Sequence, residues 1–130
     1  MRRTDIFLHI PKTGGTTIHS ALTFQYMGKP SVWLKPWKQS ENVYERRVGK
    51  KLDEMDMNAK RKLRLVRGHV YYGVHNKIPN KCLYFGILRN PIKHVRSQYK
   101  YFGKVSRQKG ERSPWTEKTF REILGNDESP

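Results

Sequence analysis

The sequence is poor in cysteine and has no long apolar run. Cys82 is the only cysteine among 130 residues, so an intrachain disulfide is excluded and a reducing compartment is favoured. No apolar stretch approaches the about 20 residues that a membrane-spanning helix needs. The N-terminal segment has too short an apolar part for a secretory signal. There is no internal repeat and no low-complexity segment. We therefore expect no membrane span and a cytoplasmic protein.

Acidic residues are also scarce. Eleven Asp and Glu stand against 27 Lys and Arg, which gives a formal net charge of +16. Such an excess favours anionic partners, namely nucleotides, nucleic acid, acidic polysaccharides or a membrane surface, and it says nothing about the fold. The length suffices for one small domain with its own core, so we predict a single domain over residues 1–130.

The apolar patterns predict an α/β fold of the P-loop-like, three-layer kind, with a mainly parallel sheet. Two of the predicted strands lead directly into a helix, which is the arrangement that favours parallel strands. The segment at residues 27–39 is predicted to be loop, in which Trp33 and Trp37 either cover the core or line a groove. The predicted strands are residues 5–10, 63–68 and 82–88, and the last is continuously apolar, as expected of a buried parallel strand. The predicted helices are residues 16–27 and 41–62, one that begins at Pro91, and one that begins at Ser113, with a basic loop predicted over residues 105–113.

The segment between the first strand and the first helix has the composition of an anion-binding loop. It reads P-K-T-G-G-T-T over residues 11–17. Glycines let several backbone N–H groups converge, the helix N-terminus adds partial positive charge, and Lys12 supplies a full charge. An ordinary βα turn would explain the glycines but not the lysine and the threonines. The lysine precedes the glycines, so the Walker A order is absent and a Mg²⁺-dependent NTPase is disfavoured.

A second candidate anion site follows the third predicted strand. The segment LRNPIKHVRSQY places Arg89 at the strand's carboxyl end and Ser97 on the next helix. Ligands of open α/β sheets collect at the carboxyl ends of strands, so both sites are expected on one edge. From spacing alone, Arg89 could instead cap a carbonyl or pair with an acid. Two such elements suggest a ligand with two separated anionic groups.

These motifs resemble those of the PAPS-dependent sulfotransferase superfamily. HIPKTGGTT resembles its 5′-phosphosulfate-binding loop, and LRNPIKHVRSQY resembles its 3′-phosphate-binding motif. Between them, RGHVYYGVH is similar to the Gly-His segment of the carbohydrate branch, which includes the heparan-sulfate 2-O-sulfotransferases. The three motifs stand in the family's order and cover about residues 5–102. Asn90 stands where aspartate is usual, and asparagine serves equally well as an N-cap.

The resemblance implies transfer of the sulfuryl group of 3′-phosphoadenosine 5′-phosphosulfate (PAPS) to a carbohydrate hydroxyl, without a metal. In that reading Lys12 and His69 are catalytic, His69 as the base and Lys12 beside the leaving oxygen. Arg89 and Ser97 hold the 3′-phosphate. His9 is expected to pack under the loop. The 5′-phosphosulfate is held by Lys12, Thr13, Gly14, Gly15, Thr16 and Thr17.

Two features keep rival interpretations open. Family domains are generally longer, so the resemblance implies a domain incomplete at its C-terminus. The high charge also fits a non-catalytic basic module that binds nucleic acid or sulfated glycan, and the predicted helix at residues 41–62 carries a basic face that is either solvated or a docking surface. No sequence-specific nucleic-acid motif is present. Another phosphoryl-transfer enzyme is the third possibility. The acceptor is expected to be an anionic or a neutral glycan.

Overall fold

The computed structural model describes residues 2–34 and 51–110, and the chain divides into two compact units, Met1–Leu88 and Arg89–Pro130. The described part of the second unit, residues 89–110, consists mainly of one helix. The remaining elements belong to the first unit, together with a helical stretch at residues 51–53. The elements in chain order are β1 (Arg3–Leu8), α1 (Gly15–Gln25), β2 (Ser31–Leu34), α2 (Met57–Lys62), β3 (Leu65–Gly68), a 3-10 helix (Val74–Lys77), β4 (Lys81–Gly86) and α3 (Pro91–Lys109).

The four strands form one parallel sheet, which confirms the predicted α/β fold. Their order is β2-β3-β1-β4, so β1 lies in the interior of the sheet. In the register, Leu8 of β1 lies opposite both Gly68 of β3 and Gly86 of β4. Because all strands run the same way, the loops that follow β1 and β3 begin side by side at one edge of the sheet.

Alternate residues of each strand face opposite sides of the sheet. Ile6, Val32 and Val66 lie on one side, in a core that the segments between strands complete. That core consists of Ile6, Val32, Leu34, Leu52, Leu63, Val66, Val74 and Ile78. On the other side, Phe7 packs against the ring of His19 from α1 with centroids 5.6 Å apart.

Helix α1 is fastened to β1 at its C-terminal end by a buried carboxylate. The hydroxyl of Tyr26 donates a hydrogen bond to Asp5, and the Arg3 side chain pairs with the same carboxylate at 2.9 Å. Burial, followed by the hydrogen bond to Asp5, raises the pKa of Tyr26. At its N-terminal end, α1 buries only Gly15 and His19, so a glycine and a histidine make its closest approach to the sheet.

The structure corrects four predictions of secondary structure. β2 lies within a segment that was predicted to be loop. Its apolar alternation is limited to two buried residues, Val32 and Leu34, which is too short a pattern to predict a strand. The predicted continuous helix to residue 62 is wrong, since residues 54–56 are not helical and Asp56 caps a new helix by accepting from the Ala59 amide. β4 was predicted to be fully buried, but it lies at the edge of the described sheet with Leu83 47% exposed.

The fourth correction concerns the end of α3. This helix was predicted to give way to a basic loop after residue 104, and it continues to Lys109 with Gly110 as its left-handed cap. Ser106 lies four residues after Phe102 and three after Gly103, so all three fall on the less exposed side of this helix. The charged Lys104 between them interrupts this pattern in the sequence. Most of the predicted helix at residues 41–62 and all of the one from Ser113 lie outside the described residues.

Gly68 is the position where the sheet tolerates least change. Its φ is +134°, and a Cβ there would lie 2.0 Å from the backbone carbonyl oxygen of Leu34. We expect Gly68→Ala to destabilise the protein by about 3 kcal/mol, from backbone strain and a clash that no side chain can relieve. Gly28→Ala is the control, because Gly28 also has a positive φ but open space around it. Urea unfolding measures both, and equal losses would contradict the steric account.

Candidate functional site

The loops after β1 and β3 are joined at the sheet edge. The backbone N–H of His9 donates to the carbonyl of Gly68 at 2.9 Å. The rings of His9 and His69 then lie with centroids 4.4 Å apart. The structure therefore brings the predicted base, His69, next to the start of the predicted anion-binding loop.

The loop between His9 and α1 has the backbone of a turn that presents amides. Lys12 has a φ of +66° and Gly14 a φ of +91°, both in the left-handed region. Within the described residues Lys12 is the only non-glycine residue with a positive φ. The hydroxyl of Thr13 donates to the Ile10 carbonyl at 2.7 Å, which closes the turn. Thr13 therefore shapes the loop through its side chain.

The first turn of α1 supplies the donors of this site. Gly14 is the N-cap of α1. Because glycine has no side chain, no side-chain oxygen of the N-cap accepts a hydrogen bond from the first amides of the helix. Thr16 and Thr17 are exposed on this turn, with their hydroxyls at the same end. No acidic residue occurs in the first turn. Amide dipoles, two hydroxyls and Lys12 give this end the chemistry of an anion site.

Gly15 is required by a side chain of the protein itself. A Cβ on Gly15 would lie 1.8 Å from Nε2 of His9. The His9 ring fills the space that the glycine leaves, and its Nδ1 lies 3.2 Å from Nε2 of His19. This confirms that His9 packs under the loop, and it adds a second reason for glycine at position 15.

His69 is held in the neutral state that a general base requires. Burial lowers the pKa of His69, and a hydrogen bond to the backbone of His9 raises it by a smaller amount. Since a backbone group that favours the protonated ring must be a carbonyl, one ring N–H of His69 is donated there. A neutral imidazole is the form of histidine that can accept a proton.

A cleft of about 530 Å³ opens in front of these histidines. Its size lies within the roughly 300–1,000 Å³ of small-ligand sites. The lining combines imidazoles, hydroxyls and an indole, contributed by His9, Thr16, His19, Ser20, Thr23, Trp33 and His69. Trp33 stacks on His19 with ring centroids 4.5 Å apart and is 40% exposed. This settles the open question about Trp33, which lines a groove.

A buried arginine supports the floor of the cleft. Arg67 is 9% exposed, and its Nη1 donates to the His19 carbonyl at 2.9 Å and to the Thr23 hydroxyl at 2.8 Å. Its guanidinium carbon lies 4.9 Å from the Trp33 ring centroid. The charge of Arg67, after burial, contributes to the lowered pKa of His19. Arg67 thus ties β3 to α1 and to the indole.

Three residues of the site, His19, Trp33 and Arg67, were not assigned to it from the sequence. A weak signal existed for His19, which lies four residues after Gly15 and therefore on the same face of a helix. Nothing in the sequence of β3 indicated that Arg67 is buried, because charged residues are rarely buried. His75 is part of the loop architecture, since its backbone and Nδ1 both bond to the Tyr84 hydroxyl.

Arg89 and Ser97 belong to the second unit. Arg89 precedes the N-cap Asn90, whose side chain accepts a hydrogen bond from the Lys93 amide at 3.1 Å, and Pro91 is the first helical residue, as predicted. Ser97 is half-buried on the second turn of α3. Both residues are therefore at one end of a well-capped helix, and their predicted contact with a 3′-phosphate stays a prediction.

The histidine cluster predicts a loss of stability in mild acid. Burial, then the neighbouring His69 and His19, lower the pKa of His9 from 6.5 to about 4. Between about pH 6.5 and pH 4, His9 is therefore protonated in the unfolded chain but neutral in the folded protein. The contribution of His9 to stability is complete above this range and decreases as the pH falls through it. His19 and His69 shift in the same direction.

We expect the urea midpoint to fall between pH 7 and pH 4.5, and His9→Gln to reduce this slope. His94→Gln, in the second unit, is the matched control for loss of one histidine. An unchanged slope in His9→Gln would contradict the cluster's role.

The described part of the chain contains neither a membrane-spanning helix nor a cluster of metal ligands. No helix there combines the length and apolarity needed to cross a bilayer. No three His, Cys, Asp or Glu side chains there converge in a way that would hold a metal ion. Models of known protein families, curated proteins and solved structures were each compared with the chain, and none matches it.

Proposed function

We propose that the protein is a PAPS-dependent sulfotransferase that acts on a carbohydrate hydroxyl. The observation that carries the proposal is the juxtaposition of an amide-rich loop containing Lys12 with His69, across the neighbouring ends of β1 and β3. An anion site alone would fit many nucleotide-binding proteins. A neutral imidazole next to it adds a proton acceptor, which a group transfer to a hydroxyl requires.

The residues of the loop fit the anionic end of this donor. The first amides of α1 and the hydroxyls of Thr16 and Thr17 suit the nonbridging oxygens of a phosphosulfate. Lys12 lies within the turn between β1 and α1, so its role in this proposal is to supply a positive charge to the loop. When bound, PAPS supplies an activated sulfuryl group on a phosphate leaving group.

In the proposed transfer, one residue accepts a proton from the acceptor and another offsets the negative charge that develops on the leaving group. The acceptor oxygen forms a bond to sulfur while the bond from sulfur to the phosphate oxygen breaks. In this proposal His69 takes the acceptor's proton on its imidazole, whose neutral form is favoured by burial. Lys12 offsets the negative charge that develops on the departing phosphate. The products are a sulfate ester and 3′-phosphoadenosine 5′-phosphate.

The cleft in front of His69 is the proposed entry for the acceptor. The hydroxyl of Ser20 and the exposed part of Trp33 are the kinds of group that bind sugars in protein sites, because hydroxyls exchange hydrogen bonds and ring C–H groups pack on aromatic surfaces. We expect Trp33→Ala to raise the acceptor KM about 10-fold and to leave donor binding unchanged. Steady-state kinetics with varied acceptor measures this, and an unchanged KM would place the acceptor elsewhere.

The experiment that tests the proposed function is calorimetry with 3′-phosphoadenosine 5′-phosphate, with AMP as the comparison. The ligand that carries the 3′-phosphate is expected to bind well above AMP. Arg89→Ala should weaken its binding about 10- to 100-fold and level the preference, because a charge-assisted bond contributes roughly 1.5–3 kcal/mol. Lys93→Ala, which removes a charge from the same helix end, is the control. Equal binding of both ligands by the unaltered protein would reject the proposal.

The competing function, a basic module for anionic polymers, is favoured only by the net charge of +16. It predicts retention on heparin and on DNA alike, with release as salt rises. The same calorimetry distinguishes the two, since a polymer-binding surface has no reason to require a 3′-phosphate. Sequence-selective DNA binding at physiological salt would favour the competing function.

A further inference from the structure

His9 lies at the junction of three elements. It follows β1, its ring occupies the space above Gly15 of α1, and the ring stacks near His69 with centroids 4.4 Å apart. Phe7 lies on the sheet side of the same ring at 5.9 Å. The ring therefore touches both the start of the anion-binding helix and the residue proposed as base.

The contacts of His9 leave little freedom to its ring. Nδ1 of His9 is within hydrogen-bond distance of Nε2 of His19. The centroids of these two rings are 4.7 Å apart. The His9 backbone is held as well, because its N–H donates to Gly68 and its carbonyl accepts from His69. A movement of the helix N-terminus at Gly15 would thus displace the His9 ring, and the ring would displace His69.

We propose that His9 is a positioning residue that locks the anion-binding loop to His69, so that the orientation and protonation of the base depend on the packing of the His9 ring against Gly15. This inference rests on the proposed function for its kinetic consequence. The lock itself is a property of the fold and can be measured without activity. Three neighbouring groups affect the protonation of the histidines around His9. They are His19 of α1, Arg67 of β3, and His69, which follows β3.

The expected signature is non-additivity between His9 and Gly15. Gly15→Ala should lower the urea midpoint when His9 is present, because the added methyl overlaps the ring. In a His9→Ala background the ring atoms nearest to the added methyl are absent, so the same substitution should leave the midpoint unchanged or raise it, since alanine is the better helix former. Thr17→Ala, an exposed change on the same turn, should give the same shift in both backgrounds. Additive effects of Gly15→Ala and His9→Ala would overturn the lock.

A second readout follows the base directly. NMR titration of the His69 ring in the full chain should show its pKa rising toward 6.5 in His9→Ala, because the loss of the His9 ring returns water to His69. Gly15→Ala should move it in the same direction although residue 15 lies on another element. A His69 pKa that responds to neither substitution would also overturn the proposal.

The kinetic readout separates positioning from binding. His9→Ala should lower kcat about 10- to 100-fold and shift the acid limb of the pH–rate profile to higher pH, with the dissociation constant for 3′-phosphoadenosine 5′-phosphate changed by less than about threefold. His9→Asn restores a hydrogen-bonding group toward His19 but not the ring against His69, and we expect it to restore stability more than kcat. Full recovery of kcat in His9→Asn would contradict the ring contact.

The two proposals fail differently. If the unaltered protein shows no preference for the 3′-phosphate, the proposed function is rejected while the unfolding cycle and the His69 titration still decide whether the lock exists. If the preference is present but the cycle is additive, the function stands and His9 has no positioning role.

Discussion

Replacement of His69 by alanine is expected to lower the rate of sulfuryl transfer roughly 10²–10⁴-fold and to leave donor binding nearly intact. In the proposed mechanism His69 is the proton acceptor and lies on the loop after β3, whereas the donor's anionic end is proposed to bind at the loop after β1. Loss of the imidazole therefore removes the acceptor's base without removing an anion contact. The assay follows radiolabelled sulfate from PAPS into a panel of glycans, with calorimetry on the same samples.

The control for this prediction is His75→Ala. His75 lies on the 3-10 helix of the same loop, and its ring bonds to Tyr84. Its loss should cost some stability and little rate. A loss of less than about threefold in His69→Ala would show that His69 is structural, and a larger loss in His75→Ala would move the base to that residue.

Replacement of Lys12 should damage both binding and rate, and rate more. The ammonium acts most strongly when the leaving phosphate gains charge, so we expect Lys12→Ala to lower kcat about 10²–10³-fold and to weaken donor binding less than 10-fold. Steady-state kinetics and calorimetry give the two quantities separately. An equal loss in both would assign Lys12 to ground-state binding alone.

The backbone at Lys12 provides a matched comparison. Its φ of +66° is unfavourable for any residue with a Cβ. Lys12→Gly and Lys12→Ala both remove the ammonium, but only glycine relieves the conformation, and we expect it to be more stable by about 1 kcal/mol. Both variants should be equally slow. A lysine at this position therefore has a conformational cost, which points to a role for its side chain.

The sequence predicted the fold class because two strands lead directly into helices and because the βα loop carries strong turn residues. It also placed three of the four strands, with boundaries shifted by about two residues. β2 was missed since a strand of four residues directly after Pro30 has almost no periodic signal. Local patterns predict local structure, and a short strand that is stabilised by its neighbours gives a weak one.

The candidate site was predicted only in part for a similar reason. Lys12 and His69 stand in recognisable motifs, and the parallel topology explains how residues so far apart in sequence become neighbours. His19, Trp33 and Arg67 carry no motif. Their roles arise from contacts between α1, β2 and β3 that depend on strand order, and neither spacing nor composition contains that order.

The single cysteine gives the protein a built-in reporter of local opening. Cys82 lies on β4, its thiol is within 3.4 Å of the Asn80 carbonyl, and burial raises its pKa. At neutral pH this sulfur is a protonated, shielded thiol that should react slowly with alkylating reagents. Its alkylation rate, relative to that of the denatured chain, therefore measures how often the sheet edge opens. Because the chain has no other thiol, this native-state measurement needs no engineered probe.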